Sequence, residues 1–406
     1  MDSTFHLGTL NSFDEVLPKS PRIENKMSLQ DRVYLDNNAT TPVDPRVLEE
    51  MLPYFNEKFG NAASRNHAFG WEADESVQHA REQIANLIGA NPKEIIFTSG
   101  ATESNNLAIK GIAEGNIRNG KHIITCSAEH KAVLDPVERL EKLGFDVTYL
   151  SVNPEGLIDL AEFEEAITDQ TILISIMHAN NETGVIQPIK KISDVAKKHN
   201  VTFMTDATQA VGKIPIDVKN LNVDLMSFSG HKLYGPKGVG ALYVKSKVKL
   251  NAQIDGGGHE RGMRSGTLNV PGIVGLGKAC ELCSLEMHKE QSRLRPLRDK
   301  LEKAVLKISG TDSNGHLSER LAHVSNISFE GVDGEKLLLS LNQIAVSQGS
   351  ACTSATFEPS HVLRAMGVSD ELAFSTLRFG LGRFTTEEEI DFVIEKIERA
   401  VSQLRK

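Results

Sequence analysis

The sequence is poor in cysteine: its 406 residues carry four, Cys126, Cys280, Cys283 and Cys352. Four thiols cannot staple a chain of this length, so a reducing compartment suits it, and a cysteine with a special part has a chemical one. Runs of Lys and Arg are missing too, and the formal net charge is -9. A duplex-DNA binder needs a basic stripe to displace counterions from phosphates, so no direct nucleic-acid partner is expected. No segment approaches the ~20 apolar residues that span a bilayer, and no membrane partner is expected. The leader has neither the apolar core of a signal peptide nor the Arg-rich, acid-poor character of a transit peptide, which makes the cytoplasm the expected address. Internal repeats and low-complexity tracts are also absent.

What is present fits one large domain and a smaller one, since 40% of the residues are hydrophobic and the length exceeds one minimal domain. Residues 1–30, with Pro18 and Pro21 and no sustained periodicity, read as a flexible extension before a start near Val33. Residues 31–43 are expected to join the small domain, 44–288 to form the large one and 289–406 the small one. Apolar runs at 94–98, 122–125, 147–150, 172–177, 201–205, 225–229 and 239–244 alternate with helical patterns. That rhythm predicts an α/β fold with a mostly parallel seven-stranded sheet and helices on both faces. A long helix over 272–309 leads to a strand at 322–329, a helix at 334–341, a strand at 377–380 and a closing helix at 387–405, a smaller α+β set.

Ligands of open α/β sheets bind beyond the carboxyl ends of the strands, and three expected strand ends stand out. The run 94–98 leads into Ser99-Gly100-Ala101-Thr102-Glu103, small residues opening a helix whose free N–H groups would cradle an anion, most simply phosphate. An ordinary N-cap with Thr102 and Glu103 in the first turn reads as well on this motif alone. Asp206 closes the run 201–205; it is either a structural hydrogen-bonding residue or the partner of a buried positive group. The run 225–229 leads into Gly230-His231-Lys232, where a lone lysine would usually be a solvated surface residue. Together the three meet the needs of a phosphorylated pyridine aldehyde. The helix N-terminus takes the phosphate, Asp206 keeps the ring nitrogen protonated and Lys232 forms the imine.

Around them stand Leu35-Asp36-Asn37-Asn38-Ala39-Thr40-Thr41, Glu129-His130-Lys131, Asn180-Asn181-Glu182-Thr183-Gly184, Arg264-Ser265-Gly266-Thr267, Gly349-Ser350-Ala351-Cys352-Thr353-Ser354 and Arg378-Phe379-Gly380-Leu381-Gly382-Arg383. From Val33 onward the chain resembles the cysteine desulfurases, IscS/NifS-like members of the class V aminotransferase group with fold type I of the pyridoxal-phosphate enzymes. The resemblance implies pyridoxal 5'-phosphate on Lys232, with Ala101, Thr102, Ser229 and His231 at its phosphate and His130 stacked on its ring. It implies Asn181 and Gln209 at the ring hydroxyl, Asp206 at the pyridinium nitrogen, and Arg378 on the substrate carboxylate beside Asn181 and Asn38. A threonine at the position of Thr267 reaches the phosphate of the other subunit in the family, so a homodimer is implied.

The implied reaction removes sulfur from L-cysteine, giving L-alanine and a persulfide on Cys352, with His130 as a proton carrier. The sulfur then passes to acceptors, an iron-sulfur scaffold protein and possibly tRNA thiolation among them. There the Cys352 persulfide can ligate a shared 2Fe-2S cluster. The segment around Cys352 is small and polar, which favours a loop, and a thiol there can ionise and swing between donor and acceptor. Cys280 and Cys283 fall in a helical, apolar pattern and read as core, as does Cys126 beside a strand. Relatives continue past the helix ending near Arg405 and use that extension in scaffold docking, so weaker docking is expected of a chain ending at Lys406. Two rivals use the same fold. An aminotransferase or selenocysteine lyase would need Lys232 and Asp206 but not Cys352, and a non-catalytic tethering subunit would need none of the three.

Overall fold

The apolar runs become strands because most are covered on both sides, and the helices that cover them come from the polar-apolar stretches between. The structure, a computed structural model, describes residues 32–348 and 359–406. The expected leader at 1–30 and the segment with Cys352 lie outside the described residues. In chain order the strands are β1 (Val33–Tyr34), β2 (Ile95–Thr98), β3 (His122–Cys126), β4 (Asp146–Leu150), β5 (Thr171–Ser175), β6 (Thr202–Asp206), β7 (Leu225–Ser229), β8 (Gly240–Val244), β9 (Thr311–Ser313), β10 (Val324–Phe329), β11 (Ile344–Ala345) and β12 (Thr376–Gly380).

Seven of them form one sheet in the order β2-β8-β7-β6-β5-β3-β4. All seven expected runs are there, and the sheet is mostly parallel. The exception is β8, antiparallel to both β7 and β2. Only residues 230–239 separate β7 from β8, fewer than the dozen or more that a parallel crossover requires, so the chain must turn back. Strands β2, β3, β5, β7 and β8 are buried at every position, as a sheet covered on both faces demands.

Alternate residues of each strand enter different cores. Phe97, Ile124, Ile174, Phe203 and Phe228 pack with Ile84 and Ile88 of helix Ala68–Ile88 and Leu276 and Cys280 of helix Val270–Val305. Ile96, Ile123, Leu173, Met204 and Leu242 pack with Leu107 and Ile112 of helix Ala101–Asn116 and Val133 and Val137 of helix Lys131–Glu141. A further core joins Leu294, Leu301 and Val305 to Phe329, Phe379, Val393 and Ile397, and takes in Val33 and Leu35. Its sheet has the order β12-β10-β9, while β1 pairs with β11. The expected limit between 288 and 289 falls inside the continuous helix Val270–Val305, whose two halves serve different cores. Helix Glu387–Leu404 begins with the reciprocal cap of Thr386 and Glu389 that its sequence announces.

Candidate active site

At the carboxyl ends of β2, β5, β6 and β7 lies a cavity of about 510 Å³ walled by Asn38, Ala101, Thr102, His130, Asn181, Asp206, Gln209, Ser229, His231, Lys232 and Arg378. Eleven of the thirteen residues singled out from the sequence thus share one space. Thr267 is exposed and not part of this wall, and Cys352 lies outside the described residues.

Each wall is set by a strand end. Helix Ala101–Asn116 starts after Gly100, whose φ of 152° suits only glycine and which offers no side-chain cap. Thr102 and Glu103 stand in the first turn, as the ordinary reading expected, but the N-cap position itself has no side-chain cap. Glu103 instead accepts from the Ser99 N–H at 2.8 Å and from Arg264 Nε at 2.7 Å. The first N–H groups of the helix, at the positive end of its dipole, are left for an anion. Ser229 stands beside them at the end of β7: a Cβ built on Gly100 would lie 3.4 Å from its hydroxyl oxygen.

Asp206 ends β6 almost fully buried, at 5% exposure. Its Oδ2 accepts from Asn105 Nδ2 at 2.7 Å and its Oδ1 from the Thr208 N–H at 2.9 Å. Lys232, in the short turn after β7, donates from Nζ to the carbonyls of Asn38 and Ala39, both at 2.6 Å. Gln209 Nε2 donates to the same Asn38 carbonyl at 2.9 Å, so the N-terminal segment forms one side of the lysine's seat. The Asn38 side chain donates to the Asn181 carbonyl at 3.2 Å.

Arg378, 1% exposed on β12, donates from Nη2 to Asp36 Oδ1 at 2.7 Å and from Nη1 to the Asn181 carbonyl at 3.0 Å. His130 accepts at Nδ1 from the Ala132 N–H at 3.1 Å, which leaves Nε2 to carry the proton of the neutral ring. Burial, with Lys232 and His361 nearby, holds its pKa below the ordinary imidazole value against the pull of Asp206. His231 is pushed down to about 4 by burial and by Lys232 and Lys237, so it too is neutral near pH 7.

Four side-chain atoms on this wall are buried without a partner: Asn38 Oδ1, Asn181 Oδ1, Thr208 Oγ1 and Arg378 Nε. Buried polar atoms almost always find partners, and four orphans around one cavity mark a polar ligand's contacts. Sequence reasoning had no role for Asn105, Asp36 or Thr208. Asp36 stood in a motif already singled out and Asn105 two positions past one, but their partners Arg378 and Asp206 are 342 and 101 residues away.

The three cysteines among the described residues are buried, as expected of core. Burial pushes the Cys126 thiol up to about 12 and raises Cys280 and Cys283 as well, which suppresses the nucleophilic thiolate. Among the described residues no cluster of three metal-ligating side chains occurs, and no helix is long and apolar enough to cross a membrane.

Comparison with known proteins places this geometry. The family model "Aminotransferase class-V" matches residues 33–393. The chain is 57% identical over 378 residues to a protein named cysteine desulfurase IscS from Anaeromyxobacter sp. (strain Fw109-5), covering 92% of this chain and 93% of that one. It is 56% identical to the protein of the same name from Pectobacterium carotovorum subsp. carotovorum (strain PC1), with the same coverage. Among solved structures it superposes on a NifS-like protein with a TM-score of 0.87 at 43% identity, covering 92% of this chain and 100% of that one. A structure described as "SspA in complex with cysteine" gives a TM-score of 0.78 at 42% identity, covering 87% and 100%.

Proposed function

Since the chain belongs to the class V aminotransferase family, among its IscS/NifS-like cysteine desulfurases, we propose that the cavity at these strand ends is where it takes sulfur from L-cysteine. The enzyme is pyridoxal-phosphate dependent, and its residues fit that group. The uncapped start of helix Ala101–Asn116 suits a phosphate, and the orphaned Asn181 and Thr208 atoms suit polar ring substituents. Ala101, Thr102, Ser229 and His231 would hold the phosphate, Asp206 the protonated ring nitrogen, Asn181 and Gln209 the ring hydroxyl, His130 the ring face and Lys232 the aldehyde carbon. Bound there, the cofactor supplies a sink for the electron pair that develops at the substrate Cα.

The chain's own groups do the rest. Arg378 fixes the substrate carboxylate, with its orphaned Nε as the first donor available and Asp36 as the group displaced. Lys232 Nζ takes the Cα proton, guided by the Asn38 and Ala39 carbonyls that already seat it. His130 moves protons through Nε2. The Cys352 thiolate attacks the substrate sulfur: an S–S bond forms as the C–S bond breaks, and the bonding pair goes to carbon, which is protonated and leaves as alanine. The resulting persulfide is delivered to an iron-sulfur scaffold protein, where it can ligate a shared cluster, and to acceptors of tRNA thiolation.

Support for Cys352 comes from the residues on either side of 349–358. Ser347 accepts at its carbonyl from the Arg378 N–H at 2.7 Å, and Ser360 Oγ donates to Glu182. Cys352 follows Gln348 by four positions, a reach of at most about 14 Å. A homodimer is supported by the exposed side chains of Leu52, Phe55, Phe59, Phe69 and Trp71, each more than half accessible, an apolar set that a second copy would cover. Thr267 is exposed as a residue serving the partner's cofactor would be. We further propose that 44–288 and 289–406 act as large and small domains and that the enzyme works in the cytoplasm.

The observation that carries this reading is the meeting of Lys232, Asp206 and an uncapped helix start in one cavity. Incubation with L-cysteine and a reductant should give alanine and sulfide in equal amounts. Keto-acid products would indicate transamination instead, and no turnover would indicate a tethering subunit.

A further inference from the structure

His361 is absorbed by none of these roles. It opens helix His361–Ala365, directly after Ser360, and it is half-buried. Its Nε2 lies 2.8 Å from the carbonyl oxygen of Glu129, the residue before His130. A carbonyl can only accept, so the proton must sit on Nε2 of His361 and the bond runs from the ring to the backbone.

The backbone it grips is the turn that presents His130. Asn180 Nδ2 donates to the Ala128 carbonyl at 3.1 Å, and the Glu129 carboxyl accepts from the Met177 N–H at 2.5 Å. Those two bonds tie the turn to the segment after β5. His361 alone among these partners comes from beyond residue 358, and its neighbour Ser360 is bonded to Glu182 in the same motif as Asn180 and Asn181.

Resting on the desulfurase reading, we infer that His361 is a positioning residue: its Nε2–H fixes the Glu129 carbonyl, and with it His130, to the chain that leaves the Cys352 segment. The proximity is felt electrostatically as well, since burial, Lys232 and then His361 all disfavour a proton on His130. The demand on His361 is for a donor at this spot and not for an imidazole, so glutamine, with a side-chain N–H, can serve.

The test uses the holoenzyme and its His361→Phe and His361→Gln variants, with alanine formation from L-cysteine as the readout. A hydrogen bond of this kind contributes about 0.5–1.5 kcal/mol net, so losing the donor should lower kcat roughly 2- to 13-fold. In His361→Phe that fall should come with unchanged KM for L-cysteine and unchanged cofactor content, because His361 is not among the residues that wall the cavity. His361→Gln should recover most of the loss. His361→Ala removes the donor without bulk and is judged by the same outcomes should the phenyl ring prevent folding. Parental kcat in the donor-less variants, or a Gln variant as slow as they are, overturns the inference. A parent enzyme that forms no alanine would instead overturn the desulfurase reading and this inference with it.

Discussion

Asn105 and Asp206, 101 residues apart in sequence, are bonded side chain to side chain, and the Asn105 oxygen accepts in turn from Ser227 Oγ. The chain of three fixes which way each group faces. Because Ser227 donates to the amide oxygen, the amide nitrogen must point at the carboxylate. With Thr208 N–H on its other oxygen, the Asp206 carboxyl is held in one orientation. Asp206→Asn should therefore lose on the order of 100-fold or more in alanine formation. Asn105→Ala, which frees the carboxylate to rotate, should lose about 10-fold, in line with a charge-assisted bond. Steady-state rates on cofactor-saturated enzyme check both, and near-parental turnover in Asp206→Asn would remove its assigned role.

Lys232 is held by two backbone carbonyls from residues 193 and 194 positions away, a seat that, among the described residues, no other lysine of the cavity wall has. Borohydride reduction of the holoenzyme followed by peptide mapping should place the adduct on Lys232. An adduct on Lys237, which also lines the cavity, would contradict the assignment. Lys232→Ala should be inactive yet fold.

Much of this was legible in the sequence because strands covered on both faces are dominated by apolar residues, as Ile123-Ile124 and Leu225-Met226 show. The turns after strands show through small and polar residues such as Gly100 after β2 and Gly230 after β7. Other features were not legible because nothing local encodes them. The reversed direction of β8 follows from the short connection between β7 and Gly240, and the runs themselves look alike. The pairs β1 with β11 and β9 with β10 are two or three residues long, too short for periodicity to register. Arg378 was readable as a carboxylate binder only through resemblance, while its resting partner Asp36 is a contact of folding.

Stability should fall on the acid side through His178. Burial holds its pKa at about 4, against about 6.5 in an unfolded chain. Between these values the unfolded state binds the extra proton, so the native state loses ground as pH falls from 6.5 toward 4. The linkage amounts to about 2 kcal/mol at pH 5. Urea unfolding at pH 7 and pH 5 should show the parent losing that much more than a His178→Asn variant. Equal losses would mean that His178 is protonated in the folded enzyme.

The central claim is that sulfur leaves the substrate onto Cys352 and onto no other thiol. Cys126, Cys280 and Cys283 are buried with raised pKa values, so none can serve as the acceptor. The most direct measurement is a single turnover with L-cysteine in the parent, Cys352→Ala and Cys283→Ala, following cofactor absorbance, alanine and protein-bound sulfur together. Cys352→Ala should still change its absorbance on adding L-cysteine, because substrate binding and Cα deprotonation need only Lys232 and its neighbours, while alanine and bound sulfur vanish. Cys283→Ala should match the parent in all three. Alanine and sulfide released at the parental rate by Cys352→Ala would show that sulfur leaves without a covalent carrier, and would contradict the role of Cys352 as sulfur acceptor.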